Sequence, residues 1–144
     1  MNMKKSFITT MIIFVATFQV LSQEIATPKI AFEETVFNFD TIVQDGNGEH
    51  VFRFTNTGDA PLLITSAFSS CGCVVPEWPK EPIAPQANGS IRVKYNTSKI
   101  GPFTKVIVVK SNDEITTKTV LRINGVVVEA KEKKQTRNET KSNK

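Results

Sequence analysis

The chain has 144 residues, 40% of them hydrophobic and 22% charged, which is enough for one domain with a moderate core. Its formal net charge is +4, but residues 23–128 contain ten basic and eleven acidic residues, so the excess positive charge lies at the two ends. A nucleic-acid-binding fold needs a basic stripe on its own surface, and this central part has no excess of basic residues. We therefore expect no nucleic acid partner.

The N-terminus has the pattern of an export signal. Two lysines precede an apolar run over residues 7–21, and Val20 and Ser22 supply small residues at the spacing of a cleavage site. The run is interrupted by polar residues and is shorter than the roughly 20 apolar residues that a membrane-spanning helix needs. The alternative interpretation is a membrane anchor that is not cleaved. We predict a signal peptide over residues 1–22, export to the periplasm or beyond the cell, and no membrane span after cleavage.

Between residues 30 and 128, short segments of alternating apolar side chains are separated by turn signals. In the segment 50–55, Phe52 and Phe54 fall on one face of an extended strand. Glycine, asparagine and proline mark turns at 45–48, 56–61, 88–90, 100–102 and 111–114. About seven strands with this spacing predict an all-β fold, an immunoglobulin-like antiparallel β-sandwich over residues 23–128, and a small barrel is the alternative.

Prolines stiffen the segment that follows the cysteines. Pro76, Pro79, Pro82 and Pro85 fix the backbone angle φ at four places within ten residues. We expect this segment to be extended and to carry the chain from one sheet to the other.

The end of the chain gives two further expectations. Gly125 interrupts the last predicted strand and is expected to mark a β-bulge. Residues 129–144 contain one apolar residue among charges and amides, so they cannot bury a face. They are predicted to form a disordered basic tail.

The chemically distinctive residues lie between 68 and 83, where the chain has both of its cysteines and its only tryptophan. Cys71 and Cys73 lie on the same side of an extended chain, and Gly72 permits the bend that a disulfide between them requires. The cysteines can pair in an oxidising compartment, and two partly buried thiols that shape a turn are the alternative. A disulfide that closes so short a loop stabilises a fold by only about 1.6 kcal/mol. A further interpretation is that the bond is easily reduced and takes part in thiol redox exchange.

A soft-metal site is another interpretation of the same residues. Cys71, Cys73 and the single histidine, His50, supply three ligands for copper or an open zinc site, whereas a closed structural zinc site needs a fourth. We expect His50 to be an exposed residue at the start of a strand, and we predict no cofactor.

Trp78 stands in the proline-rich segment and has two interpretations. Its indole is either a surface anchor for a partner or a side chain that folds back over one end of the sandwich. The hypothesised binding patch comprises Cys71, Gly72, Cys73 and Trp78.

The order of short motifs resembles that of a known family. The motifs are Phe37-Asn38-Phe39-Asp40-Thr41-Ile42, Phe52-Arg53-Phe54-Thr55-Asn56-Thr57-Gly58, Pro61-Leu62, Cys71-Gly72-Cys73, Pro76-Glu77-Trp78-Pro79, Pro82-Ile83, Tyr95, Gly101-Pro102-Phe103, Lys105, Ser111-Asn112 and Ile123-Asn124-Gly125. They resemble the bacterial family called domain of unknown function 1573, known mostly from exported proteins of Bacteroidetes. The resemblance implies an immunoglobulin-like fold similar to domains of sperm-protein and cilium-associated scaffolds, and it implies no reaction. Asp40 and Gln86 stand where the family usually has glycine, both in predicted turns.

The sequence does not favour an enzyme. With a single histidine, no serine–histidine–acid arrangement is recognisable in the sequence, no glycine-rich phosphate loop occurs, and no acidic cluster suggests a hard-metal site. We predict a non-enzymatic, exported β-sandwich module whose partner is another cell-envelope protein. A thiol-redox protein and a soft-metal-binding protein are the alternatives.

Overall fold

The structure is a computed structural model that describes residues 25–130. The predicted signal peptide and residues 131–144 of the predicted tail lie outside this part. The described residues form eight strands and no helix. The strands are β1 (Ile30–Phe32), β2 (Val36–Val43), β3 (Glu49–Asn56), β4 (Ile64–Ser69), β5 (Val74–Glu77), β6 (Asn88–Tyr95), β7 (Gly101–Ser111) and β8 (Lys118–Val128).

The strands form two four-stranded sheets packed as a sandwich. Sheet A has the order β1-β3-β6-β5, and sheet B has the order β2-β8-β7-β4. The predicted all-β, immunoglobulin-like sandwich is confirmed. One pair differs from the expected antiparallel pairing, because β2 runs parallel to β8. The chain leaves the edge of sheet A after Phe32 and continues at the edge of sheet B from Val36.

The core lies between the sheets and follows the predicted alternation. Phe52 and Phe54 on β3 are fully buried, and Arg53 between them is exposed. Burying large aromatic and aliphatic side chains from both sheets is the main source of stability in such a fold. The core comprises Ile30, Ile42, Phe52, Phe54, Leu62, Ile64, Ala67, Val74, Ile83, Ile91, Val93, Tyr95, Phe103, Ile107, Val109, Leu121, Ile123 and Val127.

The chain crosses between the sheets at the cysteines, and the predicted crossing at the proline segment is wrong. Strand β4 lies in sheet B and β5 in sheet A, so the crossing falls on residues 70–73. The proline segment after Glu77 instead connects β5 to its neighbour β6 in the same sheet. Pro76 lies within β5, where the missing N–H is tolerated because β5 is an edge strand.

The expected bulge lies on β2 and not on β8. The β2–β8 register shifts between Asn38 and Thr41, whereas the β7–β8 register is continuous past Gly125. A Cβ atom on Gly125 would stand 3.0 Å from the Cβ of Phe39 and 3.0 Å from the ring of Phe103. Glycine is therefore needed because the bulged neighbouring strand approaches closely at this point.

Candidate functional site

The crossing between the sheets is closed by a disulfide. Cys71 and Cys73 are bonded, with their Cα atoms 5.3 Å apart. Before the bridge, the hydroxyl of Ser69 donates to the carbonyl of Val106 on β7 (3.0 Å). After it, the backbone N–H of Asn96 donates to the carbonyl of Cys73 (2.8 Å). The loop is thus attached to sheet B on one side and to the end of β6 on the other.

A groove of about 550 Å³ lies beside this loop. Its volume falls within the range of small-ligand and peptide-anchor pockets. Three parts of the chain surround it: the β2–β3 turn, the disulfide loop with the start of β5, and the end of β6 with the turn that follows. The lining residues are Asp45, Gly46, Asn47, Gly48, Glu49, Gly72, Cys73, Val75, Lys94, Tyr95, Asn96 and Thr97.

Hydrogen bonds fix two walls of the groove against each other. The hydroxyl of the buried Thr97 donates to the carbonyl of Gly46 (2.8 Å), and the N–H of Tyr95 donates to the carbonyl of Gly48 (2.9 Å). The Tyr95 ring stacks on Phe103 with 3.9 Å between the ring centroids. Burial raises the pKa of the Tyr95 hydroxyl above its ordinary value of 10.0, so it is neutral at physiological pH.

The charged side chains at the groove form a surface network. A carboxylate oxygen of Glu49 lies 3.3 Å from the Lys94 ammonium, and its other oxygen lies 3.8 Å from the Arg92 guanidinium. Such exposed pairs contribute less than about 1 kcal/mol each. The titratable lining residues are two carboxylates, one lysine and one tyrosine. These four side chains can form polar contacts with a partner. None of them is a nucleophile paired with a base, the arrangement that covalent catalysis requires.

Trp78 lies at the opposite end of β5 from the disulfide. The four residues of β5 lie between Cys73 and Trp78, which places Trp78 about 16 Å along the extended chain from Cys73. The indole is half-buried, packs against the core, and is covered by Lys80, whose ammonium lies 3.2 Å from the ring centroid. The structure therefore brings Cys71, Gly72 and Cys73 together at the groove, and it does not bring Trp78 to them.

His50 packs in the sandwich, and the expectation that it is exposed is wrong. It lies on the same face of β3 as the buried Phe52, its side chain is only 15% exposed, and its ring stacks on Phe37 at 3.5 Å. Its Nε2 is 2.9 Å from a carboxylate oxygen of Glu34. The sequence alone did not show that the Phe37 side chain on β2 covers the His50 ring.

The residues proposed for a soft-metal site are not assembled. Strand β3, which carries His50, is separated from β5 by β6, and Cys71 and Cys73 are bonded to each other. Within residues 25–130 no group of three or more His, Cys, Asp or Glu side chains is positioned to hold a metal ion.

Sequence reasoning missed the turns that complete the groove. Asp45 lies in the turn before β3, Glu49 is the first residue of β3, and Asn96 follows the end of β6; pairing of β3 and β5 with β6 brings all three to the cysteines. The sequence predicts the turn at 45–48, but alternation within a strand does not show which turns lie together at one end of a sandwich.

The sequence matches one protein family, and the fold is similar to those of solved structures. A family model described as "Protein of unknown function (DUF1573)" matches residues 30–127. No curated protein matches the sequence. Among solved structures, a protein of unknown function from Porphyromonas gingivalis W83 is similar, with a TM-score of 0.63, 13% identity, and coverage of 76% of this chain. This chain spans about half (51%) of the length of that protein.

Two further solved structures share the fold. The seventh PapD-like domain of human CEP192 has a TM-score of 0.56 at 11% identity, with 73% of this chain and 89% of that domain covered. The periplasmic chaperone SfaE has a TM-score of 0.50 at 12% identity, with 72% of this chain and 59% of that protein covered. These likenesses are of fold alone. In the part of the chain that the structure describes, no helix has the length and hydrophobicity needed to cross a bilayer.

Proposed function

Since the chain belongs to the DUF1573 family, whose description assigns no activity, we propose from the geometry that it is an exported, non-enzymatic module that binds another cell-envelope protein. The binding site is the groove at the disulfide end of the sandwich. Loops at one end of a rigid sandwich are a common place for recognition in this architecture.

One observation carries this proposal: the groove is already formed and its walls are fixed. The Thr97–Gly46 and Tyr95–Gly48 hydrogen bonds join two of its loops, and the disulfide restrains the third. A preformed site loses little conformational entropy when a partner binds. Val75, which is 57% exposed at the groove, offers apolar surface to that partner.

Export supports the disulfide and the choice of partner. A disulfide persists in the periplasm or outside the cell and is rarely kept in the cytosol. The predicted signal peptide and the Cys71–Cys73 bond therefore both support a location outside the cytosol. The proteins available as partners in that location are those of the cell envelope.

Gly72 allows a direct test. A Cβ atom on Gly72 has no neighbour within 4 Å, so Gly72→Arg fills the groove without disturbing the fold. Ala31→Arg, at an exposed position of the edge strand β1, is the matched control, since its cross-strand partner is the uncharged Thr55. After crosslinking in intact envelopes, Gly72→Arg should lower recovery of the partner by roughly tenfold or more, and Ala31→Arg should not. Equal recovery with both variants would place the binding site elsewhere, and substrate turnover by the pure protein would contradict a non-enzymatic role.

Thiol–disulfide exchange is a second candidate function, favoured by the solvent-open position of Gly72 between the two bonded cysteines. In such an exchange, a partner dithiol would reduce the Cys71–Cys73 bond to two thiols and would itself become a disulfide. Measurement of the reduction potential separates the two functions. A value below about −300 mV would mark the bond as structural and remove this candidate.

A further inference from the structure

The two outer faces of the sandwich differ in composition. Nine large hydrophobic side chains are exposed among the described residues, and five of them lie on strands of sheet B against one on sheet A. The five are Val36, Val43, Phe68, Val120 and Val126. Scattered exposed apolar residues are ordinary, but a concentration on one face indicates an interaction surface.

The exposed residues of sheet B include a continuous apolar row. Phe68 on β4 is paired with Val108 on β7, and Val108 is paired with Val120 on β8. All three alternate with buried neighbours, so they point away from the core. Phe68 and Val120 are 46% and 50% exposed. The row therefore crosses three adjacent strands.

Basic residues surround this row. Lys110, Lys118 and Arg122 occupy outward positions on β7 and β8, and none of them forms an ion pair within residues 25–130. Lys110 and Lys118 are direct cross-strand partners, an arrangement that destabilises a sheet because like charges face each other. The Lys110 ammonium also lies 5.6 Å from the centroid of the Phe68 ring.

The outer face of sheet A differs in its exposed apolar residues and in its ion pairs. There the carboxylate of Glu49 lies between Arg92 and Lys94 and partly compensates their charge. By contrast, Arg53 forms no ion pair within residues 25–130. Val75 is the one large hydrophobic side chain exposed on a strand of this sheet among the described residues. Sheet B retains three uncompensated cations beside exposed apolar side chains.

We propose that the outer face of sheet B, through the row Phe68–Val108–Val120 and the cations Lys110, Lys118 and Arg122, binds an acidic protein segment that presents aliphatic side chains between Asp or Glu residues. This inference rests on the proposed function as a protein-binding module and gives that module a second surface. Carboxylates of the partner relieve the Lys110–Lys118 repulsion, and its aliphatic side chains cover the row.

Charge and shape favour this partner over two others. A second copy of the chain, docked face to face, would bring six cations together, three from each copy, and like charges repel each other. An anionic lipid surface would suit the charge, but membrane-binding faces are rich in aromatic and leucine side chains, whereas four of the five large hydrophobic residues exposed on the strands of sheet B are valines and only Phe68 is aromatic. The face is about 20 Å across its four strands and about 35 Å along β7, or roughly 700 Å², which is close to the roughly 800 Å² that each partner buries in a standard-sized protein contact.

Photo-crosslinking tests the inference in cells that produce the full chain. Benzoylphenylalanine replaces Val120 on sheet B, Gly72 at the groove, or Ser90 on sheet A, and crosslinked peptides are sequenced by mass spectrometry. We expect Val120 to crosslink to peptides with net negative charge. The triple variant K110E/K118E/R122E should reduce these adducts by roughly tenfold or more. The control variant R53E/K80E, which reverses two charges away from sheet B and from the groove lining, should leave them unchanged.

Each other outcome overturns the inference. If adducts at position 120 persist after the sheet B charge reversal, or contain basic peptides, the partner is not an acidic segment. Adducts between two copies of the chain would show that a second copy covers this face instead. Sedimentation of the purified protein with vesicles of phosphatidylglycerol and phosphatidylethanolamine, lost in K110E/K118E/R122E, shows a lipid surface instead. Adducts at Gly72 alone overturn the sheet B site and leave the proposed function standing, whereas no adduct at any position contradicts both.

Discussion

At the scale of single residues, the motif Asn56-Thr57-Gly58 is explained by structure. The buried amide of Asn56 donates to the carbonyls of Ala60 (2.8 Å) and Ile83 (3.0 Å) and accepts from the N–H of Gly58 (3.1 Å). A Cβ atom on Gly58 would stand 2.1 Å from the carbonyl oxygen of Thr27. The motif thus ties the end of β3 to the proline segment and the N-terminal lead-in, and it has no part in the groove.

Asp113 joins the two sheets through its carboxylate. One oxygen accepts from the N–H of Ile30 on β1 (3.0 Å), and the other accepts from the N–H groups of Ile115 (2.9 Å) and Thr116 (2.8 Å) in the β7–β8 loop. Burial of Asp113 raises its pKa, but these three N–H groups together with the charge of Lys29 outweigh burial, and the pKa lies below its ordinary value of 3.8.

The lowered pKa of Asp113 predicts an acid-dependent loss of stability. The unfolded state binds a proton at higher pH than the folded state, so the stabilisation is complete above about pH 5 and is lost as pH falls through the folded pKa. Asp113→Asn should lower the free energy of unfolding at pH 7 by about 1–3 kcal/mol and flatten its dependence on pH between about 5 and 3. Urea denaturation at a series of pH values measures both.

The matched control for this prediction is Asp59→Asn, which changes an exposed carboxylate. It should leave stability and its pH dependence close to those of the unchanged protein. An Asp113→Asn curve parallel to that of the unchanged protein would show that Asp113 is not the source of the acid sensitivity.

The two departures from the family pattern coincide with left-handed backbone. Asp40 has φ of 54° and Gln86 has φ of 62°, in the region where glycine is free of the steric penalty that other residues meet. Asp40 is compensated, because its N–H and carboxylate both bond the side chain of Asn38 (3.1 and 2.8 Å). The backbone N–H of Gln86 donates to the carbonyl of Asn56 (2.8 Å), a bond that glycine would keep, and its side-chain amide has only a long contact of 3.5 Å to the carbonyl of Gly58.

Gln86→Gly should therefore stabilise the protein. Relief of the left-handed penalty exceeds the added flexibility of the unfolded chain, and we expect a gain of about 0.5–1 kcal/mol in the free energy of unfolding. Ala84→Gly, two residues earlier and outside the left-handed region, should lose a similar amount. Chemical denaturation of both variants gives the comparison, and a loss with Gln86→Gly would mean that its side-chain contact matters more than backbone strain.

At the scale of elements, the disulfide organises a loop and contributes little to global stability. It closes a loop of three residues, for which chain entropy gives at most about 1.6 kcal/mol. Cys71→Ala/Cys73→Ala should therefore lower the free energy of unfolding by no more than about this amount. Hydrogen exchange should accelerate at the N–H of Asn96, which donates to Cys73, and stay slow at the N–H of Tyr95, which donates to Gly48.

The reduced protein with both cysteines intact is the control, and it should match the double alanine variant. A loss above about 3 kcal/mol, or accelerated exchange at both amides, would show that the bridge supports the sandwich as a whole.

The elements themselves were largely readable from the sequence, because alternation of apolar side chains is a local signal. The burial of Phe52 and Phe54 on one face of β3 illustrates this. The features that the sequence did not predict depend on contacts between segments that are far apart in the sequence. The position of the crossing, the cover of Phe37 over His50, and the placement of Asn96 beside Cys73 follow from strand order, which the pattern within one strand does not contain.

At the scale of the whole molecule, two surfaces with different chemistry share one rigid body. The groove lies at one end and is framed by three loops, whereas the apolar and basic face covers the side of sheet B. Strand β7 connects them, because it begins next to the groove turn and carries Val108 and Lys110 further along. A single sandwich can thus engage two partners, or two parts of one partner, without the domain motion that a multidomain scaffold would need.

The proposals depend on export, which predicts a definite chemical form of the mature protein. If the signal peptide is removed after Ser22, the recovered chain comprises residues 23–144, and the disulfide lowers its mass by two hydrogens. Intact mass spectrometry of the protein from the envelope fraction, alkylated with and without prior reduction, measures both. Cys71→Ser/Cys73→Ser is the control, since reduction should leave its mass unchanged. A retained N-terminus, or thiols that alkylate without reduction, would contradict an oxidised exported module and would weaken the case for a rigid groove at the disulfide.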